Sequence, residues 1–295
     1  MDSLASFFSA LISADFPFVR NAFLAGLLSS VLFGVLGSVV TVKRIAGLAG
    51  AISHAVLGGI GIALYLSATG KVPGLSPMVG AVVFALLSAI IIGTVSLKSK
   101  QREDTVIQAI WAIGMSIGVL FMAKTPGYTD PSSYLFGNIL LISNQDLVLL
   151  LLLDVVVVFL AWRFYPQIEA SAFDEEFAQV RGIHTRSVFL IILSVTAVAV
   201  VLLQTFVGIV MVIAMLTLPA GTAGYTAKNL ASMMVGATLY AFFFSFSGLA
   251  VGWVVDVPVG AMVVVIAGAF FLGKAAGNLI TKRRRGHDQV AKSTS

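Results

Sequence analysis

A chain of 295 residues that is 59% hydrophobic, 11% charged and net +5, with a mean hydropathy of +1.03, lies far from soluble domains, where about a quarter of residues are charged. It reads as an integral membrane protein with little left over for a soluble domain. Its Lys and Arg sit mostly in short loops and the tail, which is orienting charge rather than a nucleic-acid footprint, and the lack of cysteine excludes disulfides, thiolate metal ligands and iron–sulfur chemistry.

The first stretch, MDSLASFFSALISADF, has an apolar middle but neither a basic start nor a small-residue cleavage site. Residues 1–18 therefore read as an extracytoplasmic or interfacial segment rather than a cleaved leader. Apolar runs follow at roughly 19–42, 48–66, 77–97, 105–123, 146–162, 188–203, 205–227, 230–252 and 257–280, most of them long enough to cross a hydrocarbon core of about 30 Å as helices. The two runs around Gln204 leave almost no turn between them, so eight spans plus a broken helix is the alternative to nine. SSYLFGNILLIS is too short to span and reads as re-entrant or interfacial.

Every second loop is basic: Lys43 and Arg44, then Lys98, Lys100 and Arg102, then Arg163, Arg181 and Arg186, then Lys228, then KRRR at 282–285. The excess of positive charge places these loops and the C-terminus in the cytoplasm. A transmembrane domain over 19–280 thus carries its longest cytoplasmic loop at 163–187, and 281–295 forms a basic cytoplasmic tail close to anionic lipid. Within that loop Phe173, Phe177 and Val180 recur at helical spacing opposite Asp174, Glu175, Glu176, Gln179 and Arg181, and Gly182 ends the run. This predicts a short amphipathic helix, and its acidic face argues for a cytoplasmic protein partner over anionic lipid. The outward segment AKTPGYTDPSSYLFGNILLISNQD is rich in turn formers and is placed to meet an extracytoplasmic partner.

AISHAVLGGIGIALYL after a basic pair, SSYLFGNILLISNQDL, FDEEFAQVRGI, TFVGIVMVIAMLTLPAGTAGY and DVPVGAMVVVIAG resemble, in this order, segments of the permeases of metal-ion ABC importers, the zinc, manganese and iron permeases of the ABC-3 family. The resemblance covers about residues 19–280. It implies an all-α polytopic fold of eight or nine transmembrane helices, of the type II-like ABC importer kind, in the bacterial inner membrane. It further implies a homodimeric or paired permease, a separate cytoplasmic ATPase, an extracytoplasmic metal-binding protein, and Zn, Mn or Fe as transported substrate, with no permanent cofactor. The chain is then not itself an enzyme, and it contains no G-x-x-x-x-G-K-[ST] loop. The resemblance makes FDEEFAQVRGI the helix that seats in a cleft of the ATPase, with Phe173, Phe177 and Gly182 in contact and Glu175 and Glu176 facing basic residues.

His54 lies ten residues beyond Arg44, roughly 15 Å into the bilayer. An ionisable group at that depth is a functional candidate, and neutral imidazole suits Zn²⁺, Mn²⁺ or Fe²⁺. The plainer alternative is a histidine bonded to a helix carbonyl. The family usually has an acid four residues before this histidine; here that residue is Gly50. Asp154, in the run LLLLLDVVVV, is a mid-membrane replacement or else a helix-pairing carboxylate. Asp104 reads as an exit ligand or a helix cap, and Asp256 as an entry ligand or part of a turn. Met211 and Met215 read as packing, since thioethers suit softer ions. Asp130 and Asp146 in the outer loop are placed to attract cations or meet a binding protein. Gly58, Gly59 and Gly61, with Gly208, Pro219, Gly221 and Gly224, fit close helix crossings and local breaks that permit gating. Two other functions fit less of the sequence: an iron-chelate ABC permease, and a secondary transporter or channel with no ATPase.

Overall fold

The computed structural model describes residues 4–13, 15–98, 103–127 and 142–293, with side chains up to 280. Among the described residues the secondary structure is helical throughout, in twelve helices: α1 Leu4–Ile12, α2 Pro17–Val42, α3 Ala46–Ala68, α4 Pro77–Lys98, α5 Glu103–Lys124, α6 Asn144–Arg163, α7 Tyr165–Phe173, α8 Glu175–Val180, α9 Thr185–Val207, α10 Ile209–Gly224, α11 Leu230–Val255 and α12 Val259–Ser293. Eight are long and apolar enough to cross a membrane: α2, α3, α4, α5, α6, α9, α11 and α12 up to Ile280.

The two apolar runs around Gln204 are parted at Gly208. Its φ of +83° is a conformation that residues with a Cβ rarely adopt, and it ends α9 where Ile209 begins α10. Helix α10 has only 16 residues, about 24 Å of rise against a hydrocarbon thickness of about 30 Å. Pro219 lies inside it and leaves the Met215 carbonyl without its helical N–H partner.

Close crossings order the bundle. Helices α2 and α11 run antiparallel, Gly26 facing Ser245 and Gly34 pressed on Thr238. Along α3, a Cβ on Gly58 would fall 2.9 Å from the Gly114 carbonyl oxygen of α5, and one on Gly61 would fall 2.5 Å from that of Gly118. Gly59 meets the Gly80 backbone of α4 just as tightly. Without side chains between them these helices touch backbone to backbone, which maximises dispersion contact where lipid supplies no hydrophobic drive. Helices α3, α4 and α5 therefore form one tightly packed slab, with α5 parallel to α3. Met211 and Met215 are buried in the apolar core, in keeping with a packing role.

Helix α1 lies on the bundle: Phe7 is fully buried, its ring 6.0 Å from Phe246 of α11. The predicted cytoplasmic helix around Phe173–Val180 is divided. Asp174 takes an extended conformation and its carboxylate accepts the Phe177 N–H, so α7 stops and α8 starts there, with Phe173 on α7. An aspartate that caps a new helix outcompetes continuation of the old one. SSYLFGNI, most of the outward segment and Asp130 lie outside the described residues.

Candidate functional site

His54 is seated by the α3–α5 crossing. The glycines that let α5 approach bring the indole of Trp111 over the imidazole, with centroids 4.3 Å apart and planes 10° from parallel. Trp111 is fixed in turn by its Nε1–H, which donates to Met115 Sδ at 3.2 Å. His54 is 9% exposed and its Nδ1 has no hydrogen-bond partner. A buried polar atom left unpaired costs about 1–3 kcal/mol, which a structural histidine would avoid by bonding a carbonyl. The face of α3 one turn earlier is open: a Cβ built on Gly50 meets nothing within 4 Å. The imidazole thus sits beside unfilled space at the position where the resemblance calls for an acid. Trp111 was not singled out from the sequence, although α5 carries its own pair of small residues, Gly114 and Gly118, which pack against Gly58 and Gly61 of α3.

The acidic candidates are not gathered around His54. Asp154 is buried at 6% exposure with Oδ1 unpartnered, but its helix α6 packs on α2, and α3 packs chiefly on α4 and α5. Asp104 is exposed in the first turn of α5. Asp256 is exposed at the opposite end of the bundle, where it caps α11 at φ 57°, its N–H bonded to the Gly252 carbonyl. Asp146 is engaged by the Ser143 backbone N–H and hydroxyl in a capping box at the start of α6. Among the described residues no three His, Cys, Asp or Glu side chains cluster as a metal cage.

A second surface forms at the basic end. Lys43 reaches the Ser171 carbonyl at 2.8 Å, and the Tyr165 hydroxyl accepts the Ala231 N–H of α11 at 3.2 Å. The α2–α3 turn, α7–α8 and the start of α11 therefore lie together. Phe173, Phe177 and Val180 are 69%, 52% and 88% exposed, and Glu175 and Glu176 are exposed beside them. Gly182, at φ +81°, closes α8 by letting the Ile183 N–H return to the Ala178 carbonyl. The result is an acidic, apolar-tipped knob whose aromatic face, among the described residues, meets only the Arg181 guanidinium, stacked 5.1 Å over Phe177.

Residues 15–277 match the family described as the ABC 3 transport family. The chain is 34% identical over 261 residues to a "Probable metal transport system membrane protein" of Chlamydia muridarum, covering 88% of this chain and 89% of the relative. It is 32% identical over 273 residues to the manganese transport system membrane protein MntC of Halalkalibacterium halodurans, covering 92% and 90%. Among solved structures it is similar to PsaBC from Streptococcus pneumoniae in complex with Fab, with a TM-score of 0.80 and 29% identity over 92% of this chain and 95% of that one. An inward-facing metal-chelate type ABC transporter shares the fold at a TM-score of 0.65 and 16% identity, covering 88% and 86%. The chain therefore belongs to the ABC 3 transport family, as the multi-pass membrane permease of a metal-transporting ABC system in which ATP is hydrolysed on a separate subunit.

Proposed function

We propose that this permease imports a divalent transition-metal ion, with His54 as its contact near the bilayer midplane. The observation that carries the reading is the buried imidazole with an unpartnered Nδ1, clamped by Trp111 beside the open face at Gly50. An ionisable group held there unpaired is costly and is retained for a ligand. One imidazole and a few oxygens make a weak shell, which suits a transport site that must release its ion. Manganese comes first among Mn²⁺, Zn²⁺ and Fe²⁺ because the MntC relatives from Halalkalibacterium and Listeria carry that name. Asp154 is a separate station on the route, since its helix packs chiefly on α2 and that of His54 on α4 and α5.

The exposed tip of α8 docks on the ATPase. Phe173, Phe177 and Val180 enter an apolar cleft, and Glu175 and Glu176 meet basic residues at its rim. The permease works as a pair of identical chains in the bacterial inner membrane, loaded from outside by a metal-binding protein, with the basic end and the C-terminus in the cytoplasm. ATP-driven closure of the ATPase dimer moves α8 as a lever and switches the permease between outward and inward states.

The decisive experiment is uptake of radiolabelled Mn²⁺, Zn²⁺ and Fe²⁺ by vesicles holding the reconstituted complex. His54→Ala is expected to lower uptake at least tenfold with the complex still assembled. Wild-type uptake in that variant removes His54 from the route. Phe177→Asp is expected to abolish stimulation of the ATPase while metal binding persists, and full stimulation would sink the docking assignment.

A further inference from the structure

Helices α7 and α8 must pass any movement of the ATPase into the bundle, and the strongest directional link they make is polar. The Lys43 ammonium donates to the Ser171 carbonyl, near the C-terminal end of α7, at 2.8 Å. Lys43 is the cap of α2, and α3 begins three residues later at Ala46. The joint between them has no slack: Arg44 is held at φ 58°, and the N–H groups of Lys43, Arg44 and Ile45 return to the carbonyls of Val39, Thr41 and Val40. A displacement of Lys43 therefore reaches the first turn of α3, with His54 eight residues further on, about 12 Å along the helix.

The surroundings suit a link under load. Burial pushes the Lys43 ammonium below its usual pKa, and the Glu175 carboxylate on α8 opposes that shift. The other end of α7 is held by the Tyr165 hydroxyl, which donates to Glu169 Oε1 at 2.8 Å and accepts the Ala231 N–H at the start of α11. Between these two ties α7 borders an apolar cavity of about 370 Å³ formed with α2, α6 and α9, lined among others by Val39, Val157, Ile168 and Ile192. Helix α7 is thus not packed solid along its length between the two ties. A charge-assisted hydrogen bond is directional and about twice as strong as a neutral one, whereas an apolar contact would let the surfaces slide.

We propose that Lys43, through its hydrogen bond to the Ser171 carbonyl, is a positioning residue that transmits movement of α7–α8 into the α2–α3 joint and so to the helix that carries His54. This rests on the docking assignment for α8. The test measures metal transported per ATP hydrolysed, in proteoliposomes containing the permease, its ATPase and the metal-binding protein. Lys43→Met keeps the aliphatic stem and removes the donor; it is expected to assemble and hydrolyse ATP, with the transport ratio lowered at least fivefold. Lys43→Arg is expected to restore the ratio to within twofold of wild type. A wild-type ratio in Lys43→Met overturns the inference. Should Lys43→Met not assemble, Lys43→Gln, shorter and uncharged, carries the test: a fivefold loss that Lys43→Arg does not share supports the link, and a ratio near wild type overturns it. Phe177→Asp in parallel separates the two levels. If Phe177→Asp leaves ATPase stimulation intact, the docking assignment fails; if it uncouples while Lys43→Met transports normally, the failure belongs to Lys43 alone.

Discussion

The rings of His54 and Trp111 lie face to face, with centroids 4.3 Å apart and planes 10° from parallel, inside a helix crossing built from glycines. Stacked aromatic pairs contribute about 0.5–1.5 kcal/mol beyond their buried area, enough to select one imidazole orientation. Trp111→Ala is expected to raise the apparent KM for metal several-fold as the imidazole loses that orientation, and Trp111→Phe to recover most of it. Uptake kinetics decide: an unchanged KM in Trp111→Ala means that the indole does not orient His54.

The open face at Gly50 leads to a gain-of-function prediction. Because a Cβ there meets nothing within 4 Å, Gly50→Asp is accommodated without a clash. It places a carboxylate one turn before His54 on the same helical face. Mn²⁺ affinity is expected to rise by about tenfold, or ~1.4 kcal/mol, with slower release. A titration showing no change would place the ion path away from this face of α3.

Gly61 and Gly47 form a contrasting pair on the same helix. A Cβ at Gly61 lies 2.5 Å from the Gly118 carbonyl oxygen, whereas one at Gly47 meets nothing within 4 Å. Gly61→Val forces the α3–α5 backbones apart and is expected to cost about 1–3 kcal/mol or more, read as a fall in melting temperature in detergent. Gly47→Ala is expected to be neutral or to stabilise by up to about 1 kcal/mol through helix propensity. Equal melting temperatures for the two variants would mean that the crossing is looser than described.

Asp154 offers a test of cost against use. Its unpartnered, buried Oδ1 destabilises the fold by about 1–3 kcal/mol relative to an apolar residue of similar size. Asp154→Leu is expected to raise the melting temperature and to reduce metal uptake. A stabilised variant with wild-type uptake would show that the carboxylate has no part in transport.

The spans, the break near Gln204 and the exposed aromatic face of the loop were legible because hydropathy, helical periodicity and charge are local properties of the chain. What escaped depends on partners distant in sequence. Trp111 is 57 residues from His54 by number, and only the pairs of glycines on α3 and α5 hinted that the two helices touch. Lys43 read as orienting charge, yet its ammonium is directed at a carbonyl 128 positions away. The division at Asp174 was missed because apolar spacing continues across it, while the capping preference of a single carboxylate decides the backbone. The acid expected for His54 was sought on α6, but helix order is not helix adjacency: α6 packs on α2.

The direct backbone contact of α3 with α4 and α5 also bears on how such a protein can change over generations. His54, its indole clamp and the unfilled position at residue 50 all belong to one closely packed body, joined to α2 through the short joint after Val42. On the proposed route, substitutions on that body would retune the preferred ion while leaving the transmission untouched, so new metal specificities would be open to this chain one residue at a time, without rebuilding its motor.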